Sequence, residues 1–274
     1  MLSKKKSIGC DECHRSGFVI KNRGNQAAAE LCGCVLNCEV CGGTGSILST
    51  NKRGYSYVST CGSCGVIRRN VRLYNAAGIP AKYSHVTQVD AGLVPTKINL
   101  NLQKALKYAK EEFVKKYPTK KGFLLMGPSG LGKTHLAIGT ISELTLHHGV
   151  RCIFKDFFYL LSELKQAYSE GIPENQIIQP LIETDVLVID ELGKGRSNEW
   201  ELNILDQLIS KRYNASKETL ITTNYVTREI AREQGETGEI LEARIGDRIA
   251  SRLFEMCEFL HLEGRDYRKE KKKA

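Results

Sequence analysis

The sequence predicts an α/β fold: a parallel sheet flanked by helices and built around a phosphate loop, with a small metal-binding domain in front. Three observations predict it. The stretch GPSGLGKTH, residues 127 to 135, sits between an apolar run and a helical pattern. A second apolar run, DVLVIDEL, ends in two carboxylates. Eight of the ten cysteines fall within the first 64 residues. At 274 residues the chain is long enough for one large domain and a small one. We divide it into 1–75, a cysteine-rich zinc-binding domain, 76–118, a linker and helix, and 119–274, the nucleotide-binding domain with a basic tail.

Residues 1–75 hold too few apolar side chains to fold by burial alone. Their cysteines are Cys10, Cys13, Cys32, Cys34, Cys38, Cys41, Cys61 and Cys64, three C-x-x-C pairs and one C-x-C. Thiols kept reduced read as metal ligands rather than disulfides, and eight thiolates satisfy two tetrahedral Zn²⁺ sites. Four near-symmetrical pairs with glycine turns favour zinc over an iron–sulfur cluster. The pairing is open. In a sequential arrangement 10/13 joins 32/34 and 38/41 joins 61/64; in a crossed one 10/13 joins 61/64 and 32/34 joins 38/41. The stretches CDECHRSGF, CEVCGGTGSI and CGSCGV partly resemble the DnaJ cysteine-rich repeat, which implies the crossed arrangement. Cys152 and Cys257 lie in apolar runs and read as core thiols.

Residues 76–100 carry Pro80, Pro95 and two glycines and read as a linker and lid. LQKALKYAKEEFVKKY then places Leu102, Leu106, Ala109 and Phe113 on one helical face, and Pro118 ends it.

In the core, KGFLLMGP is a buried strand and HLAIGTISELTLHHG a helix stopped by Gly149. Between them run Gly127, Pro128, Ser129, Gly130, Leu131, Gly132, Lys133 and Thr134, fitting G-x-x-x-x-G-K-[ST]. The glycines let backbone N–H groups turn inward on phosphates, Lys133 adds a point charge, and the Thr134 hydroxyl suits Mg²⁺. RCIFKDFFYLLSELKQAYSEG gives a strand and a helix. DVLVIDEL is a buried strand whose terminal acids face the ligand crevice. Asp190 suits the Mg²⁺ shell, and Glu191 suits polarising a water, the mark of a hydrolase. EWELNILDQLISKRYNAS is a helix leading to the strand ETLITTNY, where Asn224 is placed to orient that water or touch the γ-phosphate. The polar GKGRSNEW loop after Glu191 is placed to sense a neighbour or DNA.

The series GPSGLGKT, LVIDEL, TTN and GDRIASRLFEMCEFLHLEGRDYRK is similar to AAA+ ATPases of the DnaC/DnaI helicase-loader clade, which includes the IstB-like transposition helpers. The resemblance covers residues 76–270 and implies a P-loop NTPase of the AAA+ kind. It implies that Arg252, in ASRL, is an arginine finger serving a neighbouring subunit. It makes Arg268, in RDYRK, a sensor for its own subunit's nucleotide, with Arg248 a second choice for either role. GIPAKYSHV, with Tyr83, resembles the segment that closes over the adenine. The implied function is ATP binding and hydrolysis by a homo-oligomer that assembles when ATP is bound. It would load a replicative hexameric helicase on single-stranded DNA. The alternatives are a transposition helper on duplex DNA, or a zinc-module adaptor or chaperone-like ATP switch.

Forty Lys and Arg against 31 Asp and Glu give a net charge of +9, suited to a polyanionic partner. The basic clusters SKKKS and RKEKKKA stand at the two ends. No apolar run approaches the roughly 18 residues of a membrane span, and no apolar segment follows the N-terminal lysines as a secretory signal requires. The expectation is a cytoplasmic protein with no membrane contact.

Overall fold

The computed structural model describes residues 10–90, 99–195, 197–235, 240–264 and 266–270. The SKKKS cluster, Pro95 of the linker, Arg196 of the polar loop and the last four residues of RKEKKKA lie outside the described residues. The chain forms two compact units, Met1–His85 with Leu144–Val150, and Val86–Glu143 with Arg151–Ala274.

The first unit contains two antiparallel hairpins that the cysteine pattern had masked. β1 (Phe18–Arg23) pairs with β2 (Gln26–Leu31), and α1 (Gly33–Leu36) follows. β3 (Ser46–Thr50) pairs with β4 (Ser56–Thr60), and α2 (Gly65–Ala76) follows. Asn75 of α2 acts as a strand substitute for β2: its Nδ2 donates to Ala29 O at 3.0 Å and its Oδ1 accepts from Ala29 N at 2.7 Å. The apolar cluster around the second hairpin is small, Val35 with Cys38, Cys61 and Cys64. So little burial cannot balance the entropy of ordering these residues, which leaves the cysteines as the staples.

The second unit is a five-stranded, all-parallel sheet in the order Cys152–Asp156, Val186–Asp190, Glu218–Thr222, Gly122–Met126 and Cys257–His261. It opens with α3 (Leu100–Lys107), whose Asn99 cap accepts from Leu102 N at 2.9 Å. The helix then widens to a π-helical stretch, Tyr108–Val114. That extra residue per turn resets the face expected from a 3.6 period. Leu102, Ala109 and Phe113 are buried as expected, Val114 joins them, and Leu106 is only half-buried. The alternation proceeds through β5 (Gly122–Met126), α4 (Lys133–Glu143), β6 (Cys152–Asp156), α5 (Phe157–Ser169), α6 (Glu174–Glu183) and β7 (Val186–Asp190). Next come α7 (Glu199–Asn214), β8 (Glu218–Thr222), α8 (Arg228–Gln234), α9 (Leu241–Ile245), α10 (Asp247–Met256), β9 (Cys257–His261) and α11 (Tyr267–Glu270).

β5, β7 and β8 are buried at every position; β5 and β7 read as apolar runs for that reason, while β8 buries Glu218, Thr219 and Thr222 beside its Leu220 and Ile221. β9, the edge strand beside β5, is partly exposed. It hid in the sequence behind the arginine-rich helix that feeds it. Cys152 and Cys257 are buried as core thiols. Arg212 is buried as well; it donates to the carbonyls of Leu181, Thr184 and Glu218 at 2.7, 3.0 and 2.5 Å, tying the entries of β7 and β8 together. No helix among the described residues is long and apolar enough to cross a membrane.

Candidate functional site

The phosphate loop leaves β5 and enters α4 through glycines in left-handed conformations. Gly127 has φ 125° and Gly130 φ 85°. Both are also sterically obliged. A Cβ on Gly127 would lie 2.0 Å from Leu262 O, and one on Gly130 2.0 Å from Asp266 Oδ1. The segment after β9 therefore lies against the loop. Leu262 N donates to Met126 O at 2.8 Å, and Tyr267 N donates to Gly130 O at 3.1 Å. Nothing in the motif itself had pointed to Leu262, Asp266 or Tyr267.

Lys133 is 6% exposed and its ammonium is satisfied inside the protein. Nζ donates to Gly127 O and Pro128 O at 2.6 Å each, and to Asn224 Oδ1 at 2.9 Å. Burial lowers its pKa to about 8, against the opposing pull of Asp190. The nearby positive charge of Arg268 lowers it further.

Across the crevice, Asp190 closes β7. Its Oδ1 accepts from Thr134 Oγ1 at 2.8 Å and from Thr222 Oγ1 at 2.5 Å. Burial raises its pKa despite both hydroxyls. Thr222 also accepts from Glu191 N at 3.0 Å, so one threonine sets both acids. Glu191 stands at φ 56°, a strained turn position for a non-glycine residue. Its carboxylate pairs with Lys194. Asp156 ends β6 in register with Asp190, adding a third acid to the same sheet edge. Thr222, Lys194 and Asp156 were missed. For Thr222, the doubled threonine of TTN was the available signal.

Asn224 lies two residues past β8, exposed, with its amide oxygen on Lys133. A cleft of about 210 Å³ opens beside it, lined by Pro128, Asn224, Val226, Gln234, His261, Glu263 and Gly264. The loop after Glu191 is held by Arg244, whose Nε and Nη2 donate to Gly193 O at 3.0 and 2.8 Å.

The arginines are placed differently from one another. Arg252, on α10, donates from Nη1 to Asp206 Oδ1 of α7 at 2.7 Å, and Arg248 reaches the other oxygen at 3.4 Å. Arg268, on α11, is largely exposed, with Nε 3.4 Å from Asp266. Tyr83 belongs to a 3-10 turn, Ala81–Tyr83, in the first unit, with Lys82 Nζ 4.8 Å from its ring centre.

The eight N-terminal cysteines form two groups, Cys10/Cys13/Cys32/Cys34 and Cys38/Cys41/Cys61/Cys64, each with its sulfurs within 4.8 Å of one another. This is the sequential arrangement, and it overturns the crossed pairing implied by the DnaJ likeness. The physical reason is local. The Cys10/Cys13 and Cys38/Cys41 knuckles are each followed by one hairpin, which carries the chain straight back to the next pair. Sulfur separations are 3.6 Å for Cys10–Cys32, 3.7 Å for Cys13–Cys34, 3.9 Å for Cys38–Cys61 and 3.5 Å for Cys41–Cys64. A tetrahedron with Zn–S bonds of about 2.3 Å has edges of about 3.8 Å, so both groups fit zinc. Backbone N–H groups of Gly17 and Gly45 point at Cys13 and Cys41 at 3.3 and 3.2 Å, softening thiolate charge.

A parallel sheet with a phosphate loop on one inner strand and acids at the end of another defines an ATP-binding P-loop fold of the AAA+ class. Within that class, residues 68–274 match the family of IstB-like ATP binding proteins, and the chain belongs to it. An ATP-binding protein of insertion sequence IS5376 from Geobacillus stearothermophilus is 30% identical over 155 residues, 56% of this chain and 58% of that protein. The replicative helicase loader DnaC of Escherichia coli K12 is 31% identical over 115 residues, 42% of this chain and 46% of the loader. The chain thus spans about half the length of these curated relatives. A crystal structure of the DnaC helicase loader superposes with a TM-score of 0.55 at 30% identity, over 70% of this chain and 99% of that one.

Proposed function

We propose that this chain is an ATP-hydrolysing, DnaC-like loader that delivers a replicative hexameric helicase to single-stranded DNA as an ATP-bound homo-oligomer. The observation that carries this reading is the superposition on the DnaC helicase loader, which covers nearly all of that chain. The crevice supports the chemistry. Bound ATP with Mg²⁺ supplies the phosphoanhydride that is cleaved. The loop amides and Lys133 hold its phosphates, while Thr134 and Asp190 hold the ion. Glu191, once released from Lys194, takes the proton of an attacking water, and Asn224 orients that water. Arg252 reaches the γ-phosphate of a neighbouring subunit and Arg268 that of its own. Residues 1–75 form the zinc-bearing docking module, 76–118 lead into the core, and 119–274 form the ATPase domain.

A second reading, a transposition helper on duplex DNA, draws on the insertion-sequence relative, whose alignment is longer than that of the loader. One assay separates them. The protein, ATP, the host's hexameric helicase and circular single-stranded DNA are mixed, and helicase retained on the circles is measured. Retention that requires both this protein and ATP is the loader's result. No retention, with ATP-dependent binding to duplex instead, favours the transposition helper.

A further inference from the structure

The β3–β4 ribbon exposes what a folding domain normally hides. It springs from the second cysteine group, between Cys41 and Cys61, and faces solvent on both sides. Leu48 and Val58 stand opposite one another, 74% and 70% exposed. Tyr57, on the other face, is 53% exposed, and Tyr55, one residue before β4, is 70% exposed. A two-stranded ribbon is marginal by itself, so the metal group below it must hold it up. The tip is fixed too: Asn51 Oδ1 accepts from Arg53 N at 2.9 Å and from Tyr55 N at 3.0 Å. The side chains of Lys52 and Arg53 project there, exposed, with no ion-pair partner among the described residues.

The charge of this region is one-sided. Residues 40–89 contain six Lys and Arg and no Asp or Glu. That composition fits a polyanion and disfavours an acid-seeking or neutral protein surface. The tyrosines narrow the class further. Tyr55 stands one residue before β4 and continues its pairing, its carbonyl accepting from Asn51 N at 2.9 Å. Side chains two residues apart along such an extended segment share a face at a spacing of about 7 Å. That is about twice the 3.4 Å rise per nucleotide of a duplex strand, the separation of bases pulled out of their stack. Aromatic rings accept any base face, but only when the bases are unstacked.

We propose that the β3–β4 ribbon is a contact surface for single-stranded nucleic acid. Tyr55 and Tyr57 stack on successive bases, and Lys52 and Arg53 meet the phosphates. The proposal rests on the reading that the protein works on single strands, and adds a grip outside the nucleotide crevice.

The test uses the full chain and a fluorescent oligothymidylate of about twenty nucleotides, with affinity read by anisotropy at several salt concentrations. Zinc content and basal ATP hydrolysis serve as integrity checks that the ribbon variants should leave unchanged. Tyr55→Ala with Tyr57→Ala should weaken binding at least on the order of tenfold, and Tyr55→Phe with Tyr57→Phe should restore it. Lys52→Gln with Arg53→Gln should flatten the log–log salt dependence by about 1.4. An alanine pair that binds as tightly as the natural chain overturns the ribbon proposal and leaves the loader intact. An alanine pair that keeps DNA affinity but loses self-association or helicase binding also overturns it, assigning the ribbon to a protein partner. Failure of the natural chain to bind single strands removes both this proposal and the reading beneath it.

Discussion

Lys133 Nζ and Asn224 Oδ1, 91 residues apart in sequence, meet at 2.9 Å. The bond joins the end of the phosphate loop to the turn after β8, so the cation and the amide converge on one point of the sheet edge. An incoming phosphate must compete with this amide and with the two loop carbonyls for the same ammonium. The charge is in place beforehand, and binding exchanges its partners.

Lys133→Ala should therefore abolish ATP binding, because the lysine meets phosphates in the ground state. Glu191→Gln should keep binding and lose turnover by about 10²- to 10⁴-fold, as expected for loss of a general base. Nucleotide affinity by fluorescence titration and phosphate release measure the two effects separately. Normal turnover in Glu191→Gln would remove the role given to that residue.

The lowered pKa of Lys133, about 8, gives a pH dependence with a definite sign. Phosphate binds the ammonium form and raises its pKa, so affinity is flat below pH 8 and falls as pH rises through it. Dissociation constants for ATP between pH 7 and 9.5 test this. A profile that stays flat to pH 9.5 would show that Lys133 remains charged throughout.

The cysteine grouping predicts two zinc ions per chain, and a double variant reads the pairing directly. Cys13→Ser with Cys32→Ser removes two ligands from one group and none from the other. Elemental analysis should find one zinc remaining. Loss of both ions would revive the crossed arrangement, and an iron–sulfur absorption band would exclude zinc.

The parts of this structure that were legible in the sequence are those where one residue type has one physical use. Fully buried parallel strands leave apolar runs, as in β5 and β7, and the loop glycines leave a fixed spacing. The metal groups were visible as eight thiols, but not their partition. Sulfur spacing alone fits both pairings, and the deciding hairpins are too short and polar to show an alternation. β9 was hidden for a similar reason, since only one of its five residues, Cys257, is fully buried. Asp266 and Tyr267 reach the loop through backbone and carboxylate contacts, which no residue pattern announces.

Arg212 makes a stability prediction independent of function. Arg212→Ala would leave the carbonyls of Leu181, Thr184 and Glu218 buried without their donor. With roughly 1–3 kcal/mol for each orphaned group, the loss should be at least about 3 kcal/mol in denaturant unfolding. A change below about 1 kcal/mol would mean that water reaches these carbonyls.

Under the proposed function, the catalytic site is shared between subunits. Arg252 is paired with Asp206 at 2.7 Å, each about a quarter exposed, so the arginine must exchange this partner to reach a neighbouring subunit. Arg252→Ala should still bind ATP and lose the hydrolysis that single-stranded DNA stimulates. Arginine fingers contribute about 10³ to 10⁵ in rate in GTPases, so even a weaker one is measurable. The most direct measurement mixes Arg252→Ala protein with Lys133→Ala protein and follows phosphate release in the presence of single-stranded DNA. Some interfaces would then combine an intact phosphate loop with an intact arginine, and activity should rise above that of either variant alone. A mixture no more active than its parts, with both variants folded and assembling, would contradict the shared site.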